Sequence, residues 1–171
     1  MRFKSALWLL LLTLSGCTGI PAHVTPVTPF DANRYLGKWY EIARLDHSFE
    51  AGLTQVSANY SLRHDGGLNV LNRGFNPKTQ QWKQAQGKAF WVRDPNTGYL
   101  KVSFFGPFYG AYVIFSLGAD YQYAMVSGPS HDYLWLLART PQVSERLKTR
   151  FISQAKQRGF DTQKIIWVQQ P

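Results

Sequence analysis

"LGKWYEIARL", Leu36 to Leu45, decides the fold. Behind Gly37 the residues suit an extended, half-buried chain, so the stretch reads as a strand. The opening turn of a strand is normally frayed and wet, yet Trp39 stands only two residues after the glycine. An indole is too large an apolar body to leave there without a purpose. Trp39 must cover something, and the rest of the chain has to supply it.

Downstream, short stretches rich in Val, Ile, Phe, Tyr and Trp alternate with turn signals. "HDGG" (64–67), "NPKT" (76–79), "DPNTG" (94–98), "GAD" (118–120) and "GPSHD" (128–132) carry Gly, Pro, Asn or Asp where hairpins need them. With longer breaks at 46–52 and 105–110, they separate eight strands, expected at 37–45, 53–62, 68–75, 81–92, 99–104, 111–117, 121–127 and 133–139. Consecutive hairpins imply an antiparallel meander, and eight strands can close into a barrel without exposed edges. Then the period changes. Val143, Leu147, Phe151 and Ala155 form one apolar stripe on a helix, with Thr140–Pro141 as its start and Gly159 as its stop. Lys164 to Val168 returns as a short ninth strand.

Upstream, Arg2 and Lys4 precede an apolar run, Ala6 to Leu14, too short to cross a bilayer, and "LSGC" follows at 14–17. The order fits a secretory signal of residues 1–16. The tetrapeptide resembles the bacterial lipobox, which implies acylation of Cys17 after cleavage before it. Cys17 is the only cysteine, so an exported chain has no internal disulfide and depends on packing. Residues 17–30, with Pro21, Pro26 and Pro29, read as a lipidated, extended tether, and 31–171 as one domain. Losing Arg2 and Lys4 takes the formal charge from +9 to +7, a surplus that suits an anionic membrane surface or acidic partners. The basic residues are scattered and no nucleic-acid motif accompanies them, so nucleic acid is not expected as a partner.

"FDANRYLGKWYEIAR", "VSFFGPFYGAYVIF", "GPSHDYLWLLARTP" and "GFDTQKIIWVQQP" occur in this order over nearly the whole chain after the signal. Together with the strand and helix order, they resemble the lipocalin family, and within it the bacterial outer-membrane group. The resemblance implies an all-β fold with one C-terminal helix, an eight-stranded up-and-down barrel. It also answers the opening question. In lipocalins the first-strand tryptophan closes the base of the barrel under an arginine ending the eighth strand, which here implies Gly37, Trp39 and Arg139 as the structural motif. Asp132-Tyr133 matches the family's second motif, although His131 replaces the threonine often found before it.

With Trp39 inward, alternation sends Glu41, Ala43 and Leu45 inward too, and places Tyr40, Ile42 and Arg44 outside. On the eighth strand Tyr133, Trp135 and Leu137 share the inward parity of Arg139. An inward Glu41 is costly unless water, a basic residue or a ligand's polar head satisfies it. Glu41, Phe90, Tyr109, Tyr112 and Trp135 are the candidate ligand contacts. Phe105 to Gly110 reads as a rigid apolar rim loop that grips an acyl chain, packs on a neighbouring strand or forms a homodimer contact. His23, His47, His64 and His131 fall in the tether, loops and turns as solvated residues without metal-ligand spacing, and no nucleophile elbow, Walker loop or paired-carboxylate arrangement is present.

The resemblance therefore implies a non-enzymatic, cofactor-free carrier or store for a fatty acid or lysophospholipid. Its expected place is the outer membrane, held by the lipid on Cys17 and facing the periplasm, since Thr18 rather than Asp follows the cysteine. Arg44, late in the first strand, is the candidate for a charged contact with a ligand head at the rim. Other readings remain open: a tetrapyrrole or isoprenoid carrier, a barrel-based isomerase or hydrolase, and a scaffold with a filled barrel.

Overall fold

The turn signals separate eight strands that close on themselves: β1 (Gly37–Leu45), β2 (Thr54–Leu62), β3 (Leu68–Asn76), β4 (Gln81–Trp91), β5 (Tyr99–Ser103), β6 (Gly110–Leu117), β7 (Tyr123–Ser127) and β8 (Leu134–Ala138). Each pairs antiparallel with the next, and β1 bonds to both β8 and β2, which closes the barrel. The fold comes from a computed structural model describing residues 18–171, so the signal segment and Cys17 lie outside the described residues. The strand ends differ from the sequence reading by no more than about two residues. A short helix, α1 (Ala32–Tyr35), was not expected; Asp31 caps it by accepting from the Asn33 amide. Helix α2 (Glu145–Gln157) begins at Ser144 rather than at Thr140–Pro141, because the Ser144 hydroxyl accepts from the Leu147 amide. It stops before Gly159, whose φ of +87° suits glycine. β9 (Ile165–Trp167) adds to β1, with Ala43 opposite Trp167.

Two apolar layers hold this architecture. One lies inside the barrel and includes Tyr35, Trp39, Tyr60, Leu100, Ile114, Val126 and Leu137. The other lies between the barrel wall and α2, where Phe151 and Ala155 meet Ile42, Met125, Leu136 and Ala138. The alternation of strand residues between the two layers is the physical basis of the meander.

The register slips in three places, between Thr54 and Ser57, between Ile114 and Ser116 and, with most consequence for the site, on β1. The β1–β8 register slips between Glu41 and Ala43, a β-bulge. Past it, Ala43 and Leu45 pack in the layer under the helix, not inside as expected, while Arg44 turns inward and is only 2% exposed. One extra residue exchanges the two faces for the rest of the strand.

The segment expected to be an extended tether is docked on the barrel. The Val27 amide donates to the Ile114 carbonyl at 2.8 Å, the Gly98 amide to the Val27 carbonyl at 3.0 Å, and the Phe30 amide to the Asn96 carbonyl at 2.7 Å. Val24 and Phe30 are buried, and the Tyr99 hydroxyl bonds to the Thr18 carbonyl. Val24, Val27 and Phe30 supply the apolar anchors that the small residues and prolines around them obscure.

Candidate functional site: the barrel interior

At the closed end the Arg139 guanidinium lies 3.8 Å from the centre of the Trp39 ring. Its nitrogens donate to the carbonyls of Lys38 (2.9 Å), Arg34 (2.7 Å) and Tyr121 (3.3 Å), so the cation satisfies the backbone around the end of the barrel. The Trp39 indole N–H donates to the Tyr35 carbonyl at 2.8 Å. Gly37 has φ +90°, and a Cβ there would stand 3.6 Å from the Arg139 guanidinium. Backbone conformation, more than space, reserves this position for glycine.

Above the plug, the Tyr112 hydroxyl is bonded to those of Tyr35 (2.7 Å) and Tyr60 (2.8 Å). Burial raises the pKa of all three, so they are neutral phenols across the physiological range. Tyr112 is interior as expected, with its hydroxyl already committed to two protein partners.

Nearer the rim lies a buried polar cluster. Arg44 donates from Nη1 to Glu41 Oε1 (2.9 Å), from Nη2 to the Glu50 carbonyl (2.9 Å) and from Nε to Asp46 Oδ1 (3.1 Å). The expected inward Glu41 is therefore satisfied by a basic residue, one that the sequence placed on the wrong face. Burial, reinforced by repulsion from Glu50, pushes Glu41 up to about 8 despite that contact. Burial also raises Glu50, whose Oε2 accepts from the Trp135 indole at 3.1 Å. Burial opposes the Arg44 charge, but its carboxylate partners outweigh this and raise its pKa. One guanidinium gains from three neighbouring carboxylates, while each carboxylate must share it. The cluster is thus poised to hold a proton.

At the rim His47 stacks between Tyr133 (4.4 Å between centroids, 15° between planes) and Phe49 (5.2 Å, 8°). Its Nε2 is buried without a hydrogen-bond partner among the described residues, and burial lowers its pKa. His47 was read as a solvated loop residue. It is a half-buried rim residue, because the loop after β1 folds back onto β8. His131 is also engaged, its Nε2 lying 2.8 Å from the Arg158 carbonyl and 3.1 Å from that of Ala22. Among the described residues no cluster of His, Cys, Asp or Glu could hold a metal ion.

The interior is open on one side. Trp39, Ala58, Asn72 and Ala85 are register partners across four strands, so Ala85 and, two residues away, Lys83 point inward. Both are nonetheless exposed, because β4 runs past the end of β5. Solvent reaches the inner wall there.

The model of the lipocalin-like domain matches residues 30–170. The chain is a lipocalin. It is 56% identical over 168 residues to outer membrane lipoprotein Blc of Vibrio cholerae serotype O1, covering 96% of this chain and 98% of that one. It is 56% identical over 151 residues to the protein of the same name from Escherichia coli K12, covering 88% and 85% respectively. Among solved structures, insecticyanin of the tobacco hornworm Manduca sexta has TM-score 0.69 and 19% identity, covering 90% of this chain and 87% of that one, and shares the fold. The relatives carry names of lipoproteins and lipocalins rather than of enzymes.

Two of the lipocalin's expected ligand contacts lie elsewhere. Ala89 belongs to the interior layer, so Phe90 faces outward, where its ring meets Tyr109 at 6.3 Å and the Arg63 guanidinium at 5.6 Å. Tyr109 likewise sits outside, with Lys101 over its ring at 5.2 Å. Glu41, Tyr112 and Trp135 share the interior. No sequence signal fixes which face of β4 is inner; the register of Ala89 with Leu68 and Val102 decides the parity of Phe90.

Proposed function

We propose that this lipocalin carries a fatty acid or lysophospholipid in the cell envelope, with the acyl chain inside the barrel and the head at its open rim. The observation that carries this reading is the engagement of Arg44 by Glu41, Asp46 and Glu50. With its guanidinium taken up by Glu41, Asp46 and the Glu50 carbonyl, Arg44 offers no free charge to an anionic head, and the only partly covered interior side chains, chiefly Val102, Phe104, Tyr112 and Trp135, leave apolar wall for a chain. At about 25 cal/mol per Å² of apolar surface, one acyl chain gains several kcal/mol there. The rim offers a polar contact instead, the exposed Lys83 ammonium, which takes the role expected of Arg44. The Blc relatives are named outer membrane lipoproteins, which supports acylation of Cys17 and the same address here.

Competition with a fluorescent fatty acid tests the geometry. Lysophospholipid displaces the probe at least as well as the matching free fatty acid if the head stays outside. Displacement by the fatty acid alone would refute an open rim. Recovery of intact lipid after incubation distinguishes the carrier from a hydrolase or isomerase. Loss of membrane retention in Cys17→Ala tests the anchor, and undiminished retention refutes it.

A further inference from the structure

We infer that the outer face of β3 to β5, with the loop after β5, is a membrane-docking surface that takes phospholipid headgroups and holds the barrel side-on to the bilayer. Phe105 is 80% exposed and Phe108 72%, too much apolar surface to leave in water without a partner. Beside them is a recess of about 510 Å³ lined by Arg63, Asn69, Gln86, Lys88, Ser103 and Gly106. Asn69, Lys88 and Ser103 are register partners one residue out of step with the interior row, so the recess opens on the outside of the barrel. The Ser103 hydroxyl is buried in its wall and has no hydrogen-bond partner among the described residues, although Ser103 is only 4% exposed. Lys88, Arg93 and Lys101 make no ion pair among the described residues. A phosphate would satisfy both the hydroxyl and the lysines.

Charge and chain position favour a bilayer over a second copy. Two such cationic faces would repel each other, whereas an anionic leaflet complements them. Thr18 is tied to Tyr99 on the outer face of β5, and the outward residues Tyr99, Lys101 and Ser103 lead from there to the loop. At about 3.4 Å per residue, Phe105 lies roughly 20 Å from Tyr99 along this line. Cys17 is one residue beyond Thr18, so an acylated Cys17 brings the bilayer to this same face without slack. The inference rests on the proposed anchor at that point.

The test uses the full lipoprotein reconstituted into vesicles of phosphatidylethanolamine and phosphatidylglycerol containing brominated acyl chains. Phe105→Trp and Phe108→Trp each add emission to the wild-type signal. Ile166→Trp on β9, beside β1 and across the barrel from β5, serves as the control, since it is exposed as well. Docking predicts that the added emission at 105 and 108 is quenched while that at 166 is not. Lys88→Gln with Lys101→Gln should lower the docked-to-undocked ratio by about 25-fold, taking roughly fivefold per cation near an anionic surface. Retained binding of a fluorescent fatty acid shows that each variant keeps its barrel. Vesicle-bound protein with equal quenching at all three positions, or with none, overturns the inference, as does self-association that Phe105→Ser with Phe108→Ser abolishes. Failure of the anchor is a separate result, in which Cys17→Ala protein partitions to vesicles as wild type does.

Discussion

Replacing Glu41 by glutamine should flatten the dependence of stability on pH. Glu41 rises from the ordinary 4.5 to about 8 in the folded protein, chiefly through burial and then through repulsion from Glu50. Between those values the folded protein holds a proton that the unfolded chain releases, so unfolding becomes easier as pH rises. The stabilising effect is complete below about pH 4.5 and gone above about pH 8. If Glu41 titrated alone, at about 1.4 kcal/mol per unit, the loss across the window would approach roughly 5 kcal/mol. Glu50 shares the same guanidinium and is itself raised, so about half of that is expected from Glu41. The substituted side-chain amide keeps an oxygen for Arg44 and adds no charge. Urea unfolding of wild type and Glu41→Gln at pH 5 and pH 8.5 measures the difference directly. His47, lowered by burial, contributes with the opposite sign, gaining stability as pH rises toward its ordinary 6.5, and it cancels in the comparison. Wild type should lose roughly 2–3 kcal/mol more than the variant over this range. Parallel profiles, agreeing within about 0.5 kcal/mol, would refute the buried, proton-holding cluster.

Trp39→Ala should cost about 3–5 kcal/mol in denaturant midpoint analysis, since it opens the base of the barrel and leaves the Arg139 guanidinium without its aromatic surface. Trp135→Ala should show its larger effect in lipid titration, weakening binding by about tenfold for a loss near 1.4 kcal/mol of apolar contact, while also freeing the Glu50 carboxylate. Tyr112→Phe removes the hydroxyl between Tyr35 and Tyr60; strand order and packing survive, and urea unfolding should show a cost of about 1–3 kcal/mol.

Local chemistry made most of the architecture legible before any coordinates. Turn residues are short-range signals, so the hairpins after β2, β3, β4, β6 and β7 and the stop of α2 at Gly159 could be read from a few neighbouring residues each. The pairing of Trp39 with Arg139, a hundred residues apart, was legible only through resemblance to a family, because nothing in either residue names the other. Facing was the weaker part. A strand has two sides, and counting by twos carries a residue to the correct side only until a bulge intervenes. The slip between Glu41 and Ala43 depends on how β1 meets β8 and β9, and it moved Arg44 from a supposed rim contact into the barrel as the partner of Glu41. Phe90 and Tyr109 were assigned to the ligand by their aromatic character, but only the closed register shows them on the outer wall. His47 and the strap from Thr18 to Phe30 illustrate the same limit: loop-like composition says that a segment can be solvated, and long-range packing decides whether it is. Secondary structure followed from sequence neighbours, whereas the identity of the groups that line the barrel depends on contacts between residues tens of positions apart.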